Sequence, residues 1–508
     1  MHRILSDLRS TKHSDSTKSK LSTILYAIEE TIRDRTKRNG EIRATEYMGA
    51  VSAALDSTQS NENVPALVKI LSIVIPAVPD PVLRTLGQRF ENLFIGLWRN
   101  DPDNATRRGL LTCATYYLVA QPTQAFTRPS LLRVLNVMFR GTTDSHSKTR
   151  RAAKTGTLRV LETQNEIVSS KIVSFAENLL ATSASSSSDG ESPTTLYLMS
   201  MLKTVAPVMS TVSVSKLITN VLLRTLKSIG PSNQEKQKRM TTMSISETLG
   251  SIFQNPKIQI SNKVLIGTSR VLLECAPVVN GVVVSSSSEY TSSWSPALAY
   301  CIRAISQQKK TSLHDLSNLV AESAEAISRL MAHNHNETLR SVSSSLKTLS
   351  QCPILIPQVS ILESTHSLHR ILRSYASLLR PTFSHAWKHG VPSVGSLVGN
   401  LYRLSGGGDH LTLHVRSLIL ELDELRQGCE MNDNQELASI CEHALSQVLN
   451  AMGVSEFLSI VTFHKRTTGP GVVSPERTWL LPFLHKHVPN SPCRLEYFRT
   501  AILGLART

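Results

Sequence analysis

The sequence predicts an all-α fold, an elongated solenoid of stacked antiparallel helix pairs, from its length, composition and periodicity. A chain of 508 residues is too long for one compact core, yet no sharp change of composition divides it into globular domains. Hydrophobic residues make up 41% and aromatic residues only 5%, so small aliphatic side chains must do most of the packing. Apolar residues recur at helical spacing in one segment after another, which favours helices throughout.

The first third of the chain contains a series of amphipathic helices. The first is marked by apolar residues at helical spacing, namely Leu21, Ile24, Leu25, Ile28 and Ile32. Further helices are predicted over 44–55, 65–75, 81–98, 110–119 and 129–139. The last of these begins at Pro129 and is closed by Gly141, the usual asymmetry of helix ends.

The remaining helices are separated by serine-rich loops and turns. Helices are predicted over 196–209, 214–229, 296–307, 313–332 and 361–379, with loops over 181–193 and 285–293. Val278 to Val284 forms either a small hairpin around Asn280-Gly281 or an irregular loop. The apolar pattern of residues 474–506 predicts a helical hairpin. Because the sequence ends at Thr508, only two residues past the last apolar face, we expect a fragment or a shortened form.

Two segments between helices resemble each other. DNATRRGL starts at Asp103 and DSHSKTRRAA starts at Asp144, 41 residues later, and a weaker copy, NETLR, runs from Asn336 to Arg340. An acidic residue or asparagine ahead of arginine, followed by small residues that open a helix, is similar to the turn of HEAT repeats, whose period is about 40 to 47 residues. The sequence therefore predicts a HEAT/armadillo-like α-solenoid of roughly 12 helical pairs.

Charge and cysteine content limit the class of protein. Lys and Arg outnumber Asp and Glu by 55 to 39, so the formal net charge is +16 and the surface attracts polyanions, unless the charge serves solubility alone. The seven cysteines are scattered without a CxxC pair, which indicates buried thiols in a reducing compartment. The amino terminus lacks the apolar core of a secretion signal, and the longest nearly apolar run, 64–78, is shorter than a membrane span.

The sequence predicts no catalytic centre. It lacks GxxxxGK[ST], HExxH, GxSxG and a GxGxxG placed after a strand. His410 and His414 share a helical face, but no cysteine or carboxylate stands at a fixed ligand spacing from them. We therefore expect a protein that is not an enzyme, with no catalytic residue, metal site, cofactor or small-molecule substrate.

Two basic clusters are the candidate binding residues. They comprise Arg107 and Arg108 at the first turn and Lys148, Arg150, Arg151 and Lys154 at the second. Stacked repeats would align them as a ridge that contacts RNA phosphates or an acidic ribosomal surface. Alternatively, Arg107 and Arg150 or Arg151 serve bonds between repeats. The aromatic residues of a groove that stacks single-stranded bases are not interleaved with these clusters.

The carboxy-terminal part of the chain carries a more specific pattern. In order it reads TFSHAWKHGVPSVGSLVGNLYRLSGG, LILELDELRQ, ALSQVLNAMGVSEFLSIVTF, RTWLLPFLHKHV and LEYFRTAILGLA. Together these segments resemble the ribosomal RNA-processing protein 12 family, with Trp387, Gly453, Arg477 and Trp479 among the matching positions. Upstream the similarity is fainter but follows the same order. The family usually has phenylalanine at Met48 and proline at Thr462 and Gly504, and its carboxy-terminal half has no counterpart in this sequence.

The resemblance implies a function as well as a fold. Members are HEAT-repeat proteins of the nucleolus and nucleus that bind pre-ribosomal RNA and proteins, support small-subunit RNA processing and the export of both subunits, and resemble transport receptors. It also implies two regions, 1–305 with amino-terminal HEAT-like repeats and 306–508 with the central repeats typical of the family. Contact with the nuclear transport machinery follows from the same likeness, and no membrane partner is expected.

Two other functions remain open from the sequence. One is a karyopherin-type nuclear transport adaptor that binds proteins and not RNA, and the other is a cytoplasmic HEAT scaffold. A salt titration separates the first from an RNA-binding factor, because binding through several phosphates weakens steeply as salt rises. Exclusion of the protein from the nucleus would favour the second.

Overall fold

The computed structural model describes residues 16–37, 41–57, 62–185, 193–229, 236–279, 282–283, 288–308, 313–332, 335–352, 362–405, 409–462, 477 and 479–488. Over these residues the chain is helical apart from turns, bends and a two-stranded hairpin, which confirms the all-α prediction. The chain divides into two compact units, Met1–Val221 and Leu222–Thr508.

The first unit is a succession of helices joined by short turns. Its α-helices are α1 Ser16–Thr36, α2 Ala44–Ser57, α3 Val64–Val74, α4 Asp80–Thr85, α5 Gly87–Arg99, α6 Asn104–Ala120, α7 Pro129–Gly141, α8 Ser147–Thr163, α9 Asn165–Ser185, α10 Thr194–Val205 and α11 Thr211–Lys216. Short 3₁₀ segments lie at Ile75–Ala77, Thr123–Thr127 and Ala206–Val208, and a π-helix follows α11 at Leu217–Leu222.

The second unit continues with longer helices. They are α12 Leu223–Ile229, α13 Lys236–Gln254, α14 Asn262–Glu274, α15 Ser288–Ser306, α16 Leu313–Arg329, α17 Asn336–Ser350, α18 Leu362–Ala376, α19 Trp387–Ser405, α20 Asp409–Met431, α21 Gln435–Met452, α22 Val454–Ile460 and α23 Leu480–His487. Short 3₁₀ segments lie at Leu330–Ala332, Ser377–Leu379 and Pro381–Ala386. Strands β1 Val278–Val279 and β2 Val282–Val283 pair antiparallel between α14 and α15, which confirms the hairpin; its turn residues lie outside the described part.

Hydrogen bonds between neighbouring repeats fix the directions of α6 to α9. At one edge, Arg107 near the start of α6 contacts Asp144 just before α8, with 2.7 Å between Nη1 and Oδ2. At the other edge, Gln164 between α8 and α9 donates from Nε2 to the carbonyl of Gln121, which follows α6, over 3.0 Å. Helices α6 and α8 therefore run in one direction, and α7 and α9 run back.

The interval between equivalent residues differs between the two units. In the first unit Gln121 and Gln164 are 43 residues apart, within the predicted period. In the second unit, Asn400 Nδ2 donates to Ser350 Oγ across 50 residues, beyond the predicted upper limit of 47. The turn pattern therefore predicts the repeat length of the first unit better than that of the second.

The predicted helix over 81–98 is wrong as a single element. It is broken into α4 and α5 at Gly87, whose φ of +56° places it in the left-handed region. A residue with a Cβ adopts this conformation at a cost, whereas glycine adopts it freely and commonly ends a helix there. Apolar periodicity continues across the break because both short helices bury the same stripe, including Leu83 and Phe90.

The predicted loop over 285–293 is also wrong in part, because α15 already begins at Ser288. Pro296 lies inside this helix and has no N–H for the carbonyl four residues earlier. That carbonyl belongs to Ser292, and it accepts a hydrogen bond from Ser341 Oγ of α17 at 2.6 Å. A side chain of the neighbouring repeat therefore satisfies the group that the proline leaves open, so the helix continues through it.

A buried ion pair holds the end of the described chain to α20. Arg477 Nη2 and Asp423 Oδ2 are 2.6 Å apart, and their side chains are 6% and 1% exposed. Gln427 also donates to the Asp423 carboxylate, and Arg477 Nη1 donates to the carbonyl of Thr462. Of the predicted carboxy-terminal hairpin, α23 is present, and its second helix lies outside the described residues.

Helices α19 and α21 pack unusually closely through glycine. A Cβ placed on Gly395 would lie 2.6 Å from the carbonyl oxygen of Ala444 and 2.7 Å from its Cα. Backbone atoms cannot move aside as the end of a flexible side chain can, so this contact requires glycine.

We predict that Gly395→Ala destabilises the protein and that Gly267→Ala does not. Overpacking costs about 1–3 kcal/mol, which exceeds the roughly 1 kcal/mol that alanine gains over glycine within a helix. Gly267, inside α14, has no atom within 4 Å of an added Cβ, so Gly267→Ala gains the helix propensity of alanine without a steric cost. Urea denaturation followed by circular dichroism measures both, and equal midpoints for the two variants would contradict the close packing.

Candidate nucleic-acid interface

Helix α6 begins at a side-chain cap. The Asp103 carboxylate accepts hydrogen bonds from the backbone N–H of Ala105 at 2.7 Å and of Thr106 at 3.0 Å, and from Thr106 Oγ1 at 2.6 Å. Burial alone would raise the pKa of Asp103, but the bonds from Thr106 and Ala105 and the charge of Arg108 outweigh it and lower that pKa. The cap therefore fixes where α6 starts and how Arg107 and Arg108 are placed on its first turns.

The turns before α6 and α8 are joined by a chain of polar contacts, which we call the turn ladder. Its members are Asp101, Arg107, Asp144, Arg150 and Tyr197. Arg107 pairs with Asp101 of its own turn and with Asp144 of the next. Arg150 donates to the Asp144 carbonyl at 2.8 Å and lies 3.8 Å from the ring centroid of Tyr197 in α10. Each turn is therefore bonded to its neighbour.

The two predicted aspartates are not structurally equivalent. Asp103 caps α6, whereas Asp144 lies three residues before the first residue of α8 and accepts from the N–H of His146 at 2.7 Å. Asp101 stands in the matching position before α6, and Arg107 and Arg150 are both the fourth residues of their helices. Aligning the aspartates alone therefore gives an interval that is two residues too short.

A second set of basic side chains lines a groove between α6 and α8, which we call the basic groove. It has a volume of about 540 Å³, and its cations are Arg108, Lys148, Arg151 and Arg159. The described lining contains no acidic side chain, and none of the four cations forms an ion pair with a described residue. The groove therefore concentrates four cations that have no ion-pair partner among the described residues.

An aromatic ring also belongs to the basic groove. Tyr116 of α6 is half-buried, and the Arg159 guanidinium lies 4.2 Å from its ring centroid. This contact holds Arg159 over the ring, because cations are attracted to aromatic faces. Gly156 lets the helices approach: a Cβ there would collide with the Thr115 hydroxyl and lie 3.0 Å from Met138 Sδ.

The structure divides the predicted binding residues into two groups. Arg108, Lys148 and Arg151 line the basic groove, whereas Arg107 and Arg150 belong to the turn ladder. Lys154 joins neither group: its Nζ donates to Ser200 Oγ of α10 at 2.5 Å. Burial, with the charge of Arg150, lowers the pKa of Lys154.

Sequence reasoning missed Arg159 and Tyr116. Lys148, Arg151, Thr155 and Arg159 recur at intervals of three and four residues, which places them on one helical face. That spacing was available from the sequence. The position of Tyr116 was not, because it depends on how α6 packs beside α8.

Nothing in the described part of the chain suggests catalytic chemistry. No group of three or more metal-ligating side chains was found there. The six described cysteines are buried, and burial raises their thiol pKa, for Cys275 to about 11, so they stay protonated. Among the described residues, no helix has the length and apolar content needed to cross a membrane.

Stacked antiparallel helix pairs joined by an Asp/Arg turn ladder define a HEAT-repeat protein. The chain belongs to the RRP12-like family. The family model described as "RRP12-like, N-terminal HEAT repeats" matches residues 8–260, and the one described as "Ribosomal RNA-processing protein 12, HEAT repeats" matches residues 332–508.

Relatives and solved structures agree with this assignment to different degrees. The RRP12-like protein of Homo sapiens is 23% identical over 96% of this chain, which spans 36% of that protein, and the one of Gallus gallus is 26% identical over 28% of the chain and 11% of that protein. The karyopherin Kap121p bound to the SUMO protease Ulp1p has a TM-score of 0.41 at 11% identity, covering 90% of this chain and half of its own. An engineered protein reaches 0.38 at 13% identity, covering 88% and 98%. These two scores are too low to support any conclusion.

We predict that Asp144→Ala destabilises the first unit, whereas Lys148→Ala is nearly neutral. The Asp144 side chain is 6% exposed, so its loss leaves Arg107 Nη1 and the His146 N–H without their Asp144 acceptor, at a cost of about 1–3 kcal/mol, while Arg107 keeps its contact with Asp101. Lys148 is exposed and unpaired, and such substitutions change stability by about 0.5 kcal/mol or less. Urea unfolding midpoints test this, and a Lys148→Ala shift as large as that of Asp144→Ala would refute the division into two groups.

Proposed function

We propose that this chain is part of a non-enzymatic ribosome biogenesis factor, a helical-repeat scaffold that binds pre-ribosomal RNA and proteins. Its role would be to support pre-rRNA processing and the nuclear export of ribosomal subunits, in the nucleus and nucleolus and in contact with the transport machinery. Membership of the RRP12-like family supports this proposal. The basic groove supports the RNA part of it.

The observation that carries the proposal is the set of four cations in one groove, none of which forms an ion pair with a described residue. Along the axis of α8, Lys148 and Arg159 are about 16 Å apart, as the usual rise per residue of an α-helix gives, and Arg151 lies between them. Arg108 faces them from α6. Several phosphates of one strand can therefore be contacted together, and the release of their counterions supplies affinity.

The width of the groove favours a single strand. Neighbouring packed helices have axes about 8–10 Å apart, so the space between their exposed side chains admits one sugar-phosphate backbone. Phosphate contacts of this kind position a nucleic acid without reading its sequence. We therefore expect the basic groove to provide affinity, while specificity comes from other contacts with the particle.

The scaffold mechanism follows from the repeat architecture. Each repeat contacts its neighbours, so a row of repeats presents binding surfaces at fixed intervals along one chain. An RNA segment held at α6 and α8 is then positioned relative to proteins bound elsewhere. No reaction step is required of the chain itself.

In vitro, we predict that replacing Arg108, Lys148, Arg151 and Arg159 by glutamine flattens the salt dependence of RNA binding. For single strands the slope of log K against log salt is about −0.7 per neutralised phosphate, so up to four lost contacts reduce its magnitude by as much as about 3. The matched control replaces Lys69, Arg99, Arg133 and Lys216, four exposed cations of the first unit, and should keep the slope. Equal slopes for both variants would rule out the basic groove as the RNA site.

In cells, we predict that ultraviolet crosslinking of the tagged protein recovers clustered reads on precursor ribosomal RNA. The groove variant should lose most of these reads because its phosphate contacts are gone, and the control variant should retain them. Sequencing of the attached RNA measures both. Absence of ribosomal RNA reads from the nuclear wild-type protein would overturn the proposal and favour a transport adaptor that binds proteins only.

A further inference from the structure

A second groove lies between α7 and α9, and its chemistry differs from that of the basic groove. Its volume is about 610 Å³. Its floor is apolar and consists of Leu132, Leu135 and Phe139 from α7 with Phe175 and Leu179 from α9. Leu135 and Phe139 are buried, whereas Leu132, Phe175 and Leu179 keep part of their surface exposed. We call this the apolar groove.

The shared direction of α7 and α9 determines where the charged side chains lie along the groove. Helices α7 and α9 run in the same direction, and the rings of Phe139 and Phe175 face each other with centroids 5.5 Å apart. Arg140 follows Phe139 directly, and Lys171 lies one turn before Phe175. The two cations therefore stand on opposite rims, separated by about 7 Å along the helix axes.

Neither rim cation is neutralised by a described residue. Arg140 and Lys171 are exposed, no described residue forms an ion pair with either, and the groove lining contains no acidic side chain. Glu177 of α9 is turned away, because it accepts from Asn220 Nδ2 at 3.0 Å on the far side of the helix. The groove thus combines an apolar floor with one cation on each rim.

We propose that the apolar groove binds a short acidic peptide segment of a partner protein. The segment carries two or three large apolar side chains that cover the floor and an Asp or Glu on each flank that meets Lys171 and Arg140. Burial of the open parts of Leu132, Phe175 and Leu179 supplies affinity, and the rim charges fix the position of the segment in the groove. RNA does not fit this pattern, because phosphates gain nothing from an apolar floor.

The proposal does not depend on RNA binding. The floor and rims belong to α7 and α9, whereas the basic groove is lined by α6 and α8. Either groove can fail its test without affecting the result for the other.

The test is fluorescence anisotropy of the full chain with a labelled synthetic peptide in which Leu, Phe and Leu are flanked on both sides by pairs of Glu. We expect Arg140→Glu combined with Lys171→Glu to weaken binding about ten-fold or more, since both flanks then face like charge. Lys69→Glu combined with Lys216→Glu, the same charge change at exposed sites on neither α7 nor α9, should alter binding less than about two-fold. All four side chains are exposed, so both variants should fold.

A charge exchange supplies the second arm. The Arg140→Glu, Lys171→Glu variant should recover binding to a peptide whose Glu pairs are replaced by Lys pairs, and a peptide with serine in place of Leu and Phe should not bind wild type. Equal loss in the control variant, binding of the serine peptide, or displacement of the peptide by RNA would overturn the proposal. If light scattering shows that the wild-type chain forms a dimer and that the Arg140→Glu, Lys171→Glu variant does not, the apolar groove binds a second copy of the chain instead.

Discussion

The close approach of alternate helices is the constraint on which the rest of the structure depends. A helix pair of a repeat array cannot bury its apolar faces alone, so α6 must pack on α8 and α19 on α21. Gly156 and Gly395 make these contacts possible, since an added Cβ would meet the Thr115 side chain or the Ala444 backbone. Because α6 and α8 are so close, cations from both helices converge on one groove.

The turn before α6 determines which of two consecutive arginines, Arg107 or Arg108, contacts the next repeat and which faces the basic groove. Arg107 and Arg108 are consecutive, and on a helix consecutive residues point about 100° apart. Arg107 therefore reaches Asp144 of the next turn, while Arg108 faces the groove. The pair Arg150 and Arg151 repeats this arrangement one turn later, with Arg150 on Tyr197. Two adjacent residues of identical chemistry thus take different positions, one in the contact between repeats and one in the proposed binding groove.

The fold was predictable from the sequence because helical periodicity survives in nearly every segment, as the buried Leu25, Ile28 and Ile32 of α1 show. The break at Gly87 and the passage of α15 through Pro296 were not predictable. The break depends on a positive φ, and the passage depends on Ser341 of a helix that is distant in sequence but packed beside α15. The basic residues were identified, but their division depends on packing between repeats. A domain boundary near residue 305 stays a prediction.

Net positive charge does not by itself locate a binding site, because exposed cations such as Lys69, Arg99 and Lys216 also lie on described helices away from both grooves. What distinguishes the two grooves is the absence of acidic residues from their described linings together with the nature of their floors. The basic groove offers charge around threonine, tyrosine and glycine, and a phosphate backbone needs no more than this. The apolar groove has only two cations, and its other lining residues are leucine, phenylalanine and uncharged polar side chains, so its charge suits a short acidic peptide better than a polyanion. Helices α6 to α9 therefore carry two grooves of different chemistry, and under the two proposals RNA and a peptide would bind the same repeats without competing.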